Sequence, residues 1–232
     1  MVKNRSKLFC LTGAAFCALV FCFIGYKIAA YRSHIFDEKK NLLLRNADIE
    51  RDMALSVKGC TVFLGDSQIN MGQWSEYFPN LKICERGYNG ITSAELLPIA
   101  ERLAKDEPKE VFLLVGINDI MKGVPYEKIS LNILEIADLF ADKNIRVHVI
   151  TPLRSVKYGK IDMRDGAEQV NLWFQKNIKQ GGHDKNMIFF NGYSRNLTTD
   201  DGIKPELTVD GVHLNGAGYA VLADNIRTLA GL

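Results

Sequence analysis

Apolar and polar positions along the chain fall into three regimes. From Leu8 to Tyr26 every residue is uncharged, and most are apolar. From Lys27 to Lys58 charged and apolar residues mix without proline or glycine, the composition of a partly amphipathic helix. After Gly59 short apolar runs take over: Cys60–Leu64, Leu81–Cys84, Glu110–Val115, Arg146–Ile150 and Met187–Phe190. They alternate with stretches of helical length at Thr92–Lys105, Tyr126–Lys143, Met163–Lys179 and Gly216–Leu229. Continuous apolar runs are the mark of strands buried on both faces, and their alternation with helices predicts a parallel sheet covered on each side. The expected fold is α/β: a three-layer α/β/α sandwich on a five-stranded parallel sheet, in a domain spanning 59–232.

The first regime changes the picture of where that domain sits. Nineteen uncharged residues at ~1.5 Å rise each come close to spanning a ~30 Å hydrocarbon core. Lys3, Arg5 and Lys7 precede them, which favours a cytoplasmic N-terminus. The expected organisation is a basic cytoplasmic tail at 1–7, a transmembrane signal anchor at 8–26, a helical stalk at 27–58, and the domain on the extracytoplasmic, periplasmic side. The rival is a cleaved signal peptide and a secreted protein. Its apolar region usually runs only about 7–15 residues, and the nearest cleavage candidate, Lys27–Tyr31, has Ile28 where a small residue is needed.

Composition adds exclusions. Hydrophobic residues at 47% and charged ones at 24% are ordinary globular values, so disorder is not indicated. A net charge of +2, with no basic run interleaved with aromatics, points away from nucleic acid. No histidine or cysteine cluster has metal-ligand spacing. Cys10, Cys17 and Cys22 lie in the apolar span, where packing or lipid contact is their expected role. If Ser67 and Gly87 end neighbouring strands at one level, Cys60 lies seven residues back and Cys84 three, an offset of four. That is about 13 Å, beyond the ~7 Å limit for a bridge, so both cysteines are expected to be reduced.

In open α/β sheets ligands bind beyond the carboxyl ends of the strands. The residues there are Gly65-Asp66-Ser67, Arg86-Gly87-Tyr88-Asn89-Gly90, Gly116-Ile117-Asn118-Asp119, Thr151-Pro152 and Asn191-Gly192. A serine hydroxyl is a weak nucleophile until a base takes its proton, and the base needs a third group to fix its tautomer. Asp210 and His213, three apart just before a helix that Asn215 is placed to cap, supply both. Acyl transfer also needs donors for the developing oxyanion. The backbone N–H groups of Ser67 and Gly87 and the carboxamide of Asn118 are the candidates.

Gly65-Asp66-Ser67, Gly87, Gly116-Ile117-Asn118-Asp119 and Asp210-Gly211-Val212-His213 resemble, in order and spacing, the four blocks of the SGNH hydrolase superfamily of GDSL-type esterases and lipases. Gln68 stands where that motif's name has leucine. The resemblance implies a flavodoxin-like SGNH hydrolase fold with Ser67 as nucleophile, His213 as general base and Asp210 as its partner. Ser67, Gly87 and Asn118 would form the oxyanion hole, with neither metal nor organic cofactor.

The stretch from Gly72 through Leu97 resembles small bacterial members that deacetylate carbohydrates, which implies a short O-acetyl ester on a glycan. The alternatives are a lysophospholipase or thioesterase acting on longer acyl chains, acyl transfer to a second sugar, and an inactive glycan-binding module. The expected partners are thus an acylated glycan or lipid and, through the N-terminal helix, the membrane. Asp66, Trp74 and Asn89 are candidates to contact substrate, although Asp66 could instead brace the turn and Trp74 fill the core beneath it. Asp119 is expected to cap the segment that follows it, and His148 to be packed within the sheet. His34 and His183 show no pattern. Asn196-Leu197-Thr198 fits a glycosylation acceptor, relevant only in a eukaryotic secretory host.

Overall fold

The computed structural model describes residues 3–158, 161–181, 186–192 and 194–232, with the backbone alone for residues 3–19, 21, 34, 36, 157–158, 161 and 179–181. The chain divides into two compact units, residues 1–47 and 48–232. The described residues of the first are helical, part of α1 (Lys3–Met53). Most of the apolar segment 8–26 falls outside the described side chains, and the expected membrane span lies there. Among the described residues no helix is long and apolar enough to cross a membrane. The end of α1 belongs to the second unit, where Ile49 and Met53 pack on the core. The sequence pattern alone extends the stalk five residues further, to Lys58.

Five strands form the expected parallel sheet: β1 (Thr61–Gly65), β2 (Ile83–Gly87), β3 (Glu110–Leu114), β4 (Arg146–Ile150) and β5 (Met187–Phe190). Their spatial order is β2-β1-β3-β4-β5, with every pair parallel. The covering helices are α2 (Ser93–Lys105), α3 (Tyr126–Ala141), α4 (Met163–Gly181) and α5 (Gly216–Ala230).

Side-chain alternation along the strands separates two cores. Val62, Leu64, Val111, Leu113, Val147 and Val149 pack with Leu96, Ile99, Ile133, Ile136, Phe140 and Phe174 of α2, α3 and α4. Phe63, Phe112, Leu114, Ile150 and Phe190 point to the other face and pack with Tyr219, Leu222 and Ile226 of α5. Because both faces are covered, the strands carry apolar residues on both sides, which is why they read as unbroken runs.

One expectation is overturned. Cys60 and Cys84 form a disulfide with their Cα atoms 5.8 Å apart. The register pairs Gly65, not Ser67, with Gly87, so Cys84 stands opposite Val62 and the offset is two residues rather than four. Cys60 moreover precedes β1, in a turn whose N–H donates to Val57 O at 3.0 Å, so strand spacing does not govern its distance. The bridge fastens edge strand β2 to the sheet at its amino end.

Candidate active site

Gly65 ends β1 and Asp66 starts a helical turn, Ser67–Asn70, by accepting Gln68 N–H on Oδ1 at 2.9 Å. A serine in the first position of such a turn has a backbone N–H with no intrahelical partner. Gly87, the last residue of β2, lies against the end of this turn, and a Cβ there would run into the backbone of Asn70. Only glycine allows that approach. Asn118 sits in the helical turn after β3, on the other side of β1, and donates from Nδ2 to Ile91 O at 3.0 Å. An amide nitrogen has two hydrogens, so one is left over. Ser67, Gly87 and Asn118 therefore sit at the exits of three adjacent strands.

The candidate base arrives from the other end of the chain. Asp210 Oδ1 accepts the N–H groups of Val212 and His213 at 2.9 and 2.7 Å, and its Oδ2 meets His213 Nδ1 at 2.7 Å. A carboxylate can only accept, so the proton is on Nδ1 and the neutral ring presents a bare Nε2. That nitrogen lies 2.9 Å from Ser67 Oγ, placed to accept the hydroxyl proton. Burial pushes the Asp210 carboxyl up, but bonds from the His213 backbone and ring and from Val212 outweigh it, and the net shift is downward. It stays charged where the imidazole needs it. Gly211 makes the loop possible with φ +83°, and a side chain there would strike Val156. Asn215 caps α5 as expected, its Oδ1 accepting Gly218 N–H at 3.0 Å.

The hydroxyl, imidazole, carboxylate and amide named from the sequence are thus brought to one rim. Two residues expected to touch substrate are not there. Asp66 has no exposed surface; its side chain faces inward to brace the turn. Burial is the main reason its carboxyl is pushed up to about 7. Trp74 is also fully buried, stacked on Phe63 at 4.4 Å with its Nε1–H on Ile69 O. Both are corrected to supporting roles. Asn89 is exposed on the rim, where its Oδ1 accepts from Asn70 Nδ2 at 3.1 Å. Asp119 is a cap, but for the helix before it rather than the segment after: it accepts Ser93 N–H and Oγ–H at 2.9 and 2.7 Å. His148 is packed within the sheet as expected, and His183 lies outside the described residues.

Gln68, Asn70 and Tyr219 escape sequence reasoning. Only Gln68 gave a signal, a polar residue where the motif's name has leucine. A cavity of about 280 Å³ lined by Ile150, Phe190, Asn191, Leu197, Leu222 and Ile226 opens at the ends of β4 and β5, away from Ser67, with β5 three strands along from β1. Among the described residues no cluster of histidine, cysteine and acidic side chains is placed to hold a metal.

Residues 63–221 match the GDSL-like lipase/acylhydrolase family. The chain belongs to this family. That family lies in the SGNH superfamily, and the chain has the five-stranded α/β fold of that group. Among solved structures, a GDSL-like lipase from Bacteroides thetaiotaomicron superposes with a TM-score of 0.68 at 21% identity, over 79% of this chain and 95% of that one. A variant of an acetyl-xylooligosaccharide esterase from Geobacillus Stearmophilus superposes with a TM-score of 0.58 at 18% identity, over 77% and 97%. An N-acylneuraminate cytidylyltransferase from Streptococcus agalactiae serotype V is 24% identical over 175 residues, 72% of this chain. The match covers only 40% of that relative, so the chain spans about two-fifths of the length of the curated proteins it resembles.

Proposed function

We propose that this esterase removes short acyl groups, O-acetyl above all, from carbohydrate, by a Ser67–His213–Asp210 mechanism. The observation that carries the proposal is the 2.9 Å contact between Ser67 Oγ and His213 Nε2, made by residues 146 positions apart. His213 takes the Ser67 proton as Oγ attacks the ester carbonyl, and the Ser67 and Gly87 N–H groups with the Asn118 amide hold the oxyanion. Collapse expels the alcohol, which leaves with the proton from His213, and an acyl-serine remains. A water molecule then gives its proton to His213, attacks the acyl carbon and releases the acid as Ser67 recovers its proton. The esterase named for acetyl-xylooligosaccharides and the relative named for N-acylneuraminate, a sugar acid, both favour a carbohydrate ester. Asn89 and Asn70 on the rim offer amide donors and acceptors for sugar hydroxyls.

In the same proposal the uncharged N-terminal helix anchors the enzyme in a membrane, with the hydrolase domain outside the cytoplasm. The Cys60–Cys84 disulfide favours that oxidising side. Asn196 in its acceptor pattern carries no role in this reading.

The test is hydrolysis of p-nitrophenyl acetate, butyrate and decanoate by the full chain in detergent and by Ser67→Ala. The expected result is a rate that falls from acetyl to decanoyl and is lost in the variant. Equal rates for both proteins would refute the mechanism, and a preference for decanoate would refute the short-chain assignment.

A further inference from the structure

The loop that carries the base is stiff within itself. Asp210 holds the N–H groups of Val212 and His213, Thr208 Oγ1–H donates to His213 O at 2.6 Å, and Val209 N–H donates to the same oxygen at 3.0 Å. Such a loop moves as a unit, so the position of the imidazole depends on what fastens the unit to the rest of the domain. Among the described residues, bonds that tie it to the domain besides the Ser67–His213 contact include Val156 N–H to Gly211 O at 3.0 Å and Gln68 Nε2–H to Val212 O at 2.9 Å.

Gln68 is fully buried, immediately after the nucleophile. Its backbone N–H is held by Asp66 Oδ1, and its carbonyl accepts the Tyr219 hydroxyl of α5 at 2.8 Å. Its Oε1 has no hydrogen-bond partner among the described residues. An apolar side chain of this length would fill the same space without an unpaired buried oxygen, so the amide is kept here against its desolvation cost.

We propose that Gln68 is a positioning residue for ester hydrolysis: its amide grips the backbone one residue from the base and so sets the Ser67–His213 contact. The inference rests on the serine-esterase mechanism proposed above. From Ser67 to Gln68, across the amide to Val212, and on to His213 is the shortest path joining nucleophile and base, and the Oγ···Nε2 bond closes it into a ring. Without the amide the ring is open and the imidazole is free to drift with its loop, where a shift of about 1 Å can cost roughly 100-fold in rate.

The test uses Gln68→Met, which matches the length without a donor, and Gln68→Leu as a second variant in case the first does not fold. Both are measured in the full chain on p-nitrophenyl acetate, beside Ser67→Ala and His213→Ala. The expected result is a kcat about 10- to 100-fold lower with KM within about two-fold of wild type. Added to His213→Ala, the Gln68 change should lower the rate no further, because a residue that acts through the imidazole has nothing left to position. A kcat within two-fold of wild type in the folded variants would overturn the proposal, as would losses that add in full to those of His213→Ala. If Ser67→Ala retains the wild-type rate, the mechanism itself fails and this inference with it. An inactive Ser67→Ala beside fully active Gln68 variants refutes the positioning role alone.

Discussion

At the carboxyl end of the sheet a serine, a histidine and an aspartate stand in a row; toward its amino end a threonine, a glutamate and a histidine do the same. Thr61 Oγ1–H donates to Glu110 Oε1 at 3.1 Å, and Glu110 Oε2 meets His148 Nε2 at 3.1 Å. The two sets share their chemical groups and differ in which one stands in the middle. A central imidazole, His213, accepts from a hydroxyl on one nitrogen while donating to a carboxylate from the other. A central carboxylate, Glu110, accepts from both neighbours and gives the Thr61 proton no base to move to.

Room differs as well. His148 has no exposed surface and is stacked on Phe112 and Phe190, with ring centroids 4.2 and 5.4 Å away, whereas the His213 side chain keeps 26% of its surface. Identical ingredients inside the strands fasten the sheet; past the strand ends, on turns, they are open to a substrate.

The largest expected difference lies in the histidines. His213→Ala should lower the rate on p-nitrophenyl acetate by about 10,000-fold or more and leave the unfolding midpoint nearly unchanged. His148→Leu should do the reverse, leaving kcat per folded molecule at the wild-type value and costing roughly 3–5 kcal/mol in urea unfolding, because the Glu110 carboxylate stays buried without its partner. Adding Glu110→Leu, with Thr61→Val so that no buried hydroxyl is stranded, should recover most of that loss, since an apolar set needs no compensation. A His148→Leu enzyme with unchanged stability and a hundredfold lower kcat would break the comparison.

The next effect belongs to the amino end alone. Cys60 adjoins Thr61, and its bridge to Cys84 closes a loop between residues 24 apart. By loop-closure entropy its removal in Cys84→Ser should cost about 3 kcal/mol. Dithiothreitol should lower the wild-type midpoint toward that of the variant, with initial rates on p-nitrophenyl acetate unaffected at 25 °C. A loss of activity that precedes unfolding would mean that β2 transmits strain to Gly87.

How much of this was legible in the sequence follows the same division. The groups of the proposed mechanism were readable because such chemistry dictates them: a serine at a strand exit, an aspartate and a histidine three apart, a glycine and an asparagine on the flanking exits. The stagger between strands was not. Apolar runs say that a strand is buried on both faces and nothing about how far its neighbour is shifted, so a two-residue error on β2 hid the disulfide. Burial at the exits was equally hidden. Asp66 and Trp74 follow a strand that ends in polar turn residues, and what covers them includes Tyr219, a residue some 150 positions later whose ring packs edge-on to Trp74 and whose hydroxyl bonds Gln68. Glu110 and His148 were a charged residue and a histidine at ordinary strand positions until register put them on one face.

The smallest expected effect asks whether the reactive end also stores an electrostatic cost. Asp66 is buried beneath Ser67, and desolvation raises its carboxyl to about 7 from an ordinary 3.8; the Gln68 N–H pulls it back and the Asp119 carboxylate adds to the rise. A raised value means that the folded protein holds this proton more tightly than the unfolded chain does. The stability it confers is therefore fully present below about pH 4 and is lost as pH rises through about 7. Asp66→Asn keeps an acceptor for Gln68 N–H and cannot ionise. Its stability relative to wild type should rise steadily through that window and level off above it, by about 2 kcal/mol between pH 5 and pH 7. Asp210 provides the opposite sign, because its lowered value gives stability that is present above the ordinary carboxylate range and fades as pH falls. Urea unfolding across pH 2–8 should give difference curves of opposite slope, Asp210→Asn changing below about pH 4 and Asp66→Asn above it. A flat curve for Asp66→Asn would show that its carboxyl ionises at the usual pH, and hence that water reaches it under the Ser67 turn.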